Sequence, residues 1–335
     1  MKRHILVTAP IPDPLLDRMA AVAPDLVIER DSLPQGAWPE SRVTEAEIHY
    51  TTTRILTPEQ SPNLRWVQSH WAGIDSLVGT PVWERDVLLT TTSGIHAPNI
   101  AQYVMAQILA WAHRVPRWLR AQRDGRWPQG RWETFVPDEL AGRTLGIMGY
   151  GSLGREIARL ARAFNMTILV TKRDARHIED SGYTIPGFGD PAGNIPTRIY
   201  PTEATRSVVA QCDYVVITLP LTPRTRHLFD ESLLREMKPT AYLVNVGRGE
   251  VINEPDLIKA LRQGWIAGAG LDVFEKEPLP DDSPLWGMQN VILTPHVSGF
   301  SEQYDARAVD LFITNLRRYL AGEPLINLVN REEGY

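Results

Sequence analysis

The sequence predicts an α/β protein built on doubly wound parallel sheets, and three observations carry that prediction. From Thr144 onward, short runs rich in Val, Ile and Leu alternate with helical stretches of roughly ten residues, the pattern of strands joined by crossover helices. One such strand, ending at Met148, passes directly into G-Y-G-S-L-G and then into a helical pattern at 155–164. The chain's 335 residues exceed one ordinary core, so two domains are expected.

In chain order, residues 4–9 are a first strand. A turn marked by Pro10, Pro12 and Pro14 follows, then a helix over 14–22 with Leu15, Leu16, Met19 and Val22 on one face. Residues 64–69 and 87–92 are further strands. Residues 99–113 carry Ile100, Val104, Met105, Ile108 and Trp111 at helical spacing. Strands are then expected at 145–148, 167–170, 214–218, 241–246, 268–273 and 291–294, with helices at 254–261 and 306–320. The segment 173–201 is rich in Gly, Pro and Asp and poor in apolar residues, so it is expected to be a long structureless loop, either functional or disordered.

Composition narrows the function. With 43% hydrophobic and 22% charged residues the chain is globular. A net charge of −5 without a basic block points away from nucleic acid and from anionic membrane surfaces. The single cysteine, Cys212, lies beside an apolar strand and is expected to be buried; one cysteine excludes an intramolecular disulfide framework and a cysteine-rich metal site. No metal centre is expected. No apolar run reaches the roughly 18 residues of a membrane span, and the N-terminus lacks a signal-peptide pattern, so the expected location is the cytoplasm.

The glycine turn is the first feature with chemistry. Gly149, Gly151 and Gly154 permit a tight turn, close approach of backbone to a pyrophosphate, and close helix–strand packing. Ser152 and Leu153 lie in the turn just ahead of the helical pattern at 155–164, whose first N–H groups and positive dipole end suit a phosphate. Glycine turns are common, but its place between strand and helix, with further βα units behind it, favours a dinucleotide site.

Five ordered motifs extend this reading: E-L-A-G-R-T-L-G-I-M-G-Y-G-S-L-G, L-P-L-T-P-R-T-R, N-V-G-R-G-E-V-I-N-E, G-L-D-V-F-E-K-E-P-L and T-P-H-V-S-G. Together they resemble the D-isomer-specific 2-hydroxyacid dehydrogenases, and V-Q-S-H-W-A-G-I-D resembles that family's substrate-side turn. The resemblance implies two Rossmann-like domains with the active site in the cleft between them. A substrate domain of 1–97 plus 298–335 would flank a dinucleotide domain of 98–297. The implied reaction is hydride transfer between NAD(P)H and a small 2-oxo or D-2-hydroxy acid, in the reductive direction, with glyoxylate- or hydroxypyruvate-type substrates.

Arg248 follows an apolar strand, between Gly247 and Gly249, and an arginine at the carboxyl end of a parallel strand faces the ligand crevice. Its planar fork suits a carboxylate; the plainer alternative is a surface ion pair. His296 ends the strand at 291–294, and imidazole suits proton donation to a carbonyl oxygen as hydride arrives at carbon. Glu277 resembles the family's acidic partner of that histidine, because a carboxylate beside an imidazole favours the protonated ring and fixes its orientation. Ala72 and Gly73 resemble the backbone donors to the substrate carboxylate. By the same resemblance Leu219, Pro220, Thr225, Val246, Gly247 and Arg248 border the dinucleotide. Asp272 holds the nicotinamide carboxamide or serves as an ordinary turn acid, and His296, Ser298 and Gly299 lie at the nicotinamide end.

Eighteen residues past Gly154 stands Lys172, then Arg173, where NAD-preferring relatives place an acid. The cationic pair suits the 2′-phosphate of NADP, so NADP is the expected cofactor, with NAD the alternative. A homodimer through the dinucleotide domain is implied by the resemblance, and the stretch 118–132, with Trp118, Trp127 and Trp132, would suit such an interface or a core. The competing function is a dinucleotide-sensing corepressor on the same fold; the absence of appended tails in this chain argues against it. Glu277 argues against a formate dehydrogenase-like enzyme, where glutamine replaces the acid. The lack of sequence after Tyr335 argues against a long-form phosphoglycerate dehydrogenase.

Overall fold

The computed structural model describes residues 2–30, 40–54, 56–75, 77–180 and 182–332. By packing, the chain divides into two units, Met1–Ile95 with Ser301–Tyr335, and His96–Phe300.

The first unit carries β1 (Arg3–Val7), β2 (Leu26–Arg30), β3 (Ile48–Thr51), β4 (Trp66–Ser69) and β5 (Leu88–Thr90), all parallel, in the order β2-β1-β3-β4-β5. Ile5, Val7, Ile48, Tyr50 and Trp66 pack against Val309, Phe312, Ile313 and Leu316 of the helix Tyr304–Ala321. The Phe312 ring stacks on Trp66 at 5.1 Å and meets Tyr50 edge-on at 4.9 Å, pairs worth about 0.5–1.5 kcal/mol each beyond their buried area. β3 (I-H-Y-T) was not anticipated, because His49 and Thr51 disguise a strand buried on both faces. Thr8 Oγ1 meets His49 Nε2 and Thr51 Oγ1, both at 2.9 Å, and burial pushes His49 down to about 3, so its ring is neutral.

The second unit carries β6 (Thr144–Met148), β7 (Thr167–Lys172), β8 (Arg198–Pro201), β9 (Tyr214–Ile217), β10 (Tyr242–Asn245), β11 (Gly268–Leu271) and β12 (Val291–Leu293). They form one parallel sheet in the order β12-β11-β10-β9-β6-β7-β8. Side chains alternate across it. Val215, Ile217 and Leu243 join one core, while Tyr214, Val216, Tyr242 and Val244 join the other. Both faces are covered, which is why these strands are nearly all apolar in sequence. The second core is closed by the helix Ala97–Ala112, which buries Ile100, Val104, Met105 and Ile108 and packs on the helix Ser152–Ala163. The strand order reverses between β6 and β9, and such a switch point opens a crevice at the carboxyl edge.

Two expectations need correction. The segment 173–201 is not structureless. Its end forms β8, which extends the sheet beside β7, with Leu169 opposite Arg198 and Lys172 opposite Pro201. Edge placement explains the weak signal, since all four residues of R-I-Y-P remain partly or fully exposed. The tryptophan-rich stretch is not core either: Trp118, Trp127 and Trp132 are exposed, Trp127 at 79% and Trp132 at 72%.

Cys212 is fully buried, and its thiol donates to Val208 O at 3.0 Å. Burial pushes its pKa up to about 12, so the thiol stays protonated at pH 8. The native protein is therefore expected to resist maleimide at pH 8 and to take up one equivalent once unfolded; rapid labelling of the native protein would contradict this burial.

Candidate active site

The residues singled out from the second unit stand at the carboxyl edge of its sheet, each a few positions past a strand. Gly149 and Gly151 follow β6, Leu219 and Pro220 follow β9, Arg248 follows β10, Asp272 follows β11, and His296 follows β12. β10, β11 and β12 are consecutive neighbours, so the turns carrying Arg248, Asp272 and His296 are stacked side by side at strand spacing, about 4.8 Å.

The glycine turn is built for close approach. Gly149 sits at φ +104°, and a β-carbon on Gly154 would stand 2.2 Å from Gly149 O, so neither position takes a larger residue without a shift. At Gly151, by contrast, a β-carbon would meet nothing within 4 Å, so the space above this residue is open to a ligand. Gly151 also caps the helix Ser152–Ala163 without any side-chain acceptor for its first N–H groups. An open cradle at an uncapped helix start fits the pyrophosphate of a dinucleotide. Opposite, Thr218 Oγ1 donates to Gly149 O at 2.9 Å, and Thr225 Oγ1 donates to Pro220 O at 2.7 Å, fixing the L-P-L-T-P-R-T turn.

Asp272 is fully buried and organises the loop after β12. Its Oδ1 accepts from Thr294 Oγ1 at 2.6 Å and from Val297 N at 2.9 Å; its Oδ2 accepts from Ser298 N at 3.0 Å. His296 lies between these anchors at φ +53°, a left-handed conformation costing about 1–2 kcal/mol for a residue with a β-carbon. The three bonds to one buried carboxylate offset that cost. With the loop so held, His296 Nδ1 lies 2.7 Å from Glu277 Oε2, while Glu277 Oε1 accepts from Phe274 N at 3.0 Å. Both ends of the Glu277 carboxylate are engaged, which fixes the imidazole's orientation and directs its Nε2 away from the pair.

Two groups that sequence reasoning missed support this arrangement. Buried Asn245, the last residue of β10, accepts from Gly247 N at 3.1 Å and donates to Arg248 O at 3.0 Å, setting the N-V-G-R turn. Its place at the head of that motif was the available signal. From the helix Ala97–Ala112, Gln107 Nε2 donates to Tyr103 OH at 2.7 Å, and Tyr103 OH lies 2.6 Å from Thr294 Oγ1. Burial pushes the Tyr103 phenol up to about 12, so it stays protonated and donates to Thr294, whose hydroxyl in turn donates to Asp272. Nothing in the sequence linked these positions.

Arg248 is partly buried, and its Nη1 donates to Gly247 O at 2.9 Å. Lys172 is drawn into its own loop, with Nζ donating to His177 O at 2.6 Å and Asp174 O at 3.2 Å, while Arg173 is exposed. In the first unit, the Ala72–Gly73 turn follows β4 and is anchored through its neighbours: Trp71 N donates to Ser69 Oγ at 3.1 Å, and Tyr304 OH donates to His70 O at 2.8 Å. No cluster of metal-ligating residues occurs among the described residues. Nor is any helix there long and apolar enough to cross a membrane.

Residues 105–298 match the family model described as the D-isomer specific 2-hydroxyacid dehydrogenase, NAD binding domain. A glyoxylate reductase of Korarchaeum cryptofilum is 37% identical over 276 residues, 82% of this chain and 78% of the relative. Among solved structures, a D-isomer specific 2-hydroxyacid dehydrogenase from Xanthobacter autotrophicus Py2, in complex with NADPH and MES, shares 30% identity at a TM-score of 0.80, covering 100% of this chain and 99% of its own. An NADPH-dependent glyoxylate/hydroxypyruvate reductase from Sinorhizobium meliloti, in complex with NADP and sulfate, shares 26% identity at a TM-score of 0.79, with both chains fully covered. These relatives carry enzyme names, which does not favour the sensor alternative. The resemblance drawn from the motifs is borne out: the chain belongs to the D-isomer specific 2-hydroxyacid dehydrogenase family of NAD(P)-dependent oxidoreductases.

Proposed function

We propose that this enzyme reduces a small 2-oxo acid of the glyoxylate or hydroxypyruvate type to the D-2-hydroxy acid, with NADPH preferred over NADH. The observation that carries the reading is the His296–Glu277 pair at 2.7 Å, held on a loop tied down by a buried carboxylate, one turn of a neighbouring strand away from Asp272 and two from Arg248. The bound dinucleotide supplies the hydride. Arg248 grips the substrate carboxylate through its guanidinium fork. His296 donates a proton from Nε2 to the substrate's carbonyl oxygen, while Glu277 on Nδ1 holds the ring in position for the transfer. Positive charge already in place where an alkoxide develops is the main source of rate. The Gly149–Gly154 turn, with Ser152 and Leu153, would hold the pyrophosphate. Leu219, Pro220, Thr225, Val246 and Gly247 would hold the rest of the dinucleotide, with Asp272, Ser298 and Gly299 serving its nicotinamide end.

NADPH oxidation followed against a panel of 2-oxo acids tests the reaction: turnover with glyoxylate or hydroxypyruvate is expected, and no turnover with any member overturns the reading. His296→Ala is expected to lower kcat by roughly 10²–10⁴ with NADPH binding retained. Arg248→Ala is expected to raise KM for the 2-oxo acid as well as lower kcat. Near-normal turnover of the His296 variant would remove it as the proton donor.

The NADPH preference is supported by the cationic end of β7 and by the absence of an acid at that point. Lys172 and Arg173 are the cations offered to a 2′-phosphate at that point. Lys172→Ala combined with Arg173→Ala is expected to lower the ratio of kcat/KM for NADPH over NADH. A wild-type enzyme equally efficient with both cofactors contradicts the assignment.

The exposed Trp118, Leu119, Trp127, Trp132 and Val136 lie in one arginine-rich segment of the second unit, and we assign it to a homodimer contact. Sedimentation at micromolar concentration is expected to show a dimer, and Trp127→Ser with Trp132→Ser a monomer; a monomeric wild type contradicts this.

A further inference from the structure

The residue between Gly149 and Gly151 is Tyr150, and its side chain is almost wholly buried. Its hydroxyl donates to Asp190 Oδ2 at 2.5 Å, across 40 residues of sequence. Asp190 is also buried and lies in the excursion between β7 and β8. Its Oδ2 accepts a second bond from Ile195 N at 3.0 Å, and its Oδ1 accepts from Asn194 N at 3.2 Å.

Two charged residues near the start of the helix Ser152–Ala163 join this contact, Arg155 in its first turn and Glu156 just beyond it. Arg155, only 1% exposed, lays its guanidinium over the Tyr150 ring at 4.7 Å. It donates to Asp190 O and to Ile178 O, and its Nε lies 3.6 Å from Asp180 Oδ2. Glu156, equally buried, accepts from Gly189 N at 2.6 Å and pairs with Arg159. A cation in the first turn of a helix opposes the helix dipole, and a buried charge is costly unless it is paired. Helix packing alone does not call for this network. What it achieves is a fixed junction between the glycine turn and the excursion, at the end of β7 where sheets of this topology receive the adenosine ribose.

We propose that Tyr150 and Asp190 are positioning residues for the dinucleotide, their bond coupling the conformation of the glycine turn to that of the 173–197 excursion. The inference rests on the reading that the Gly149–Gly154 turn takes the pyrophosphate. Binding at the turn then orders the excursion, and breaking the bond weakens binding without touching the proton donor.

Titration of the intrinsic tryptophan fluorescence with NADPH measures the effect. Tyr150→Phe is expected to raise the NADPH Kd and KM about five- to tenfold, the net worth of one typical intramolecular hydrogen bond, while kcat at saturating NADPH and KM for the 2-oxo acid are retained. Adding Asp190→Asn to Tyr150→Phe is expected to cost less than the two single effects combined, because both remove one bond. An unchanged NADPH Kd in Tyr150→Phe, or a fall confined to kcat, overturns the proposal. A wild type that fails to bind NADPH would instead remove the underlying dinucleotide reading. Amide exchange on the wild-type protein needs no variant: NADPH is expected to slow exchange at Gly189, Asn194 and Ile195, and unchanged exchange there, with binding demonstrated, overturns the coupling.

Discussion

The buried carboxylate of Asp272 is the constraint on which the candidate site depends. It stands one residue past β11 and reaches across to the loop after β12, taking the Thr294 hydroxyl and the Val297 and Ser298 amides. Those three bonds bracket His296 and hold it in a backbone conformation that a residue with a β-carbon does not choose unaided. The rest follows from that loop geometry: the imidazole meets Glu277 through Nδ1, and Nε2 is directed away from the pair. The Thr294 hydroxyl is itself held by a relay from Gln107 through Tyr103. The long helix that closes the core thereby also braces the loop that carries His296.

The parallel sheet explains why such a site can be assembled from distant parts of the chain. Crossover helices return every strand in the same direction, so each strand delivers its following turn to one edge. Gly149, Leu219, Arg248, Asp272 and His296 span nearly 150 residues of sequence, yet each needs only to sit one to three residues past a strand. The rigidity of the strands does the positioning, and the turns supply the chemistry. Asn245 shows the same logic on a smaller scale, since one buried side chain sets both sides of the turn that presents Arg248.

What was legible in the sequence was whatever local pattern or motif expressed. The apolar runs of β9 and β10 and the glycine turn were readable because burial on both faces leaves almost no polar residues to confuse the pattern. β3 escaped because its buried His49 is satisfied by Thr8, 41 residues away, a pairing that no local pattern reveals. Lys172 was correctly located at the end of β7, but its commitment to His177 O depends on how the following loop folds back. Arg155 carried the signature of an exposed helical arginine, and only the excursion lying over it makes it one of the most deeply buried side chains in the chain. The exposure of Trp127 and Trp132 was likewise undecidable from sequence, since tryptophan suits core and interface alike.

The central claim is that this site passes hydride to C2 of a 2-oxo acid while His296 protonates the oxygen. Reduction of hydroxypyruvate with NADPH deuterated at the nicotinamide C4, followed by chiral separation and mass analysis of the product, tests it most directly. The account predicts glycerate of the D configuration alone, carrying one deuterium on C2 when the label is on the transferred face and none when it is on the other. Racemic or L product, or no deuterium at C2 from either labelled cofactor, would contradict it.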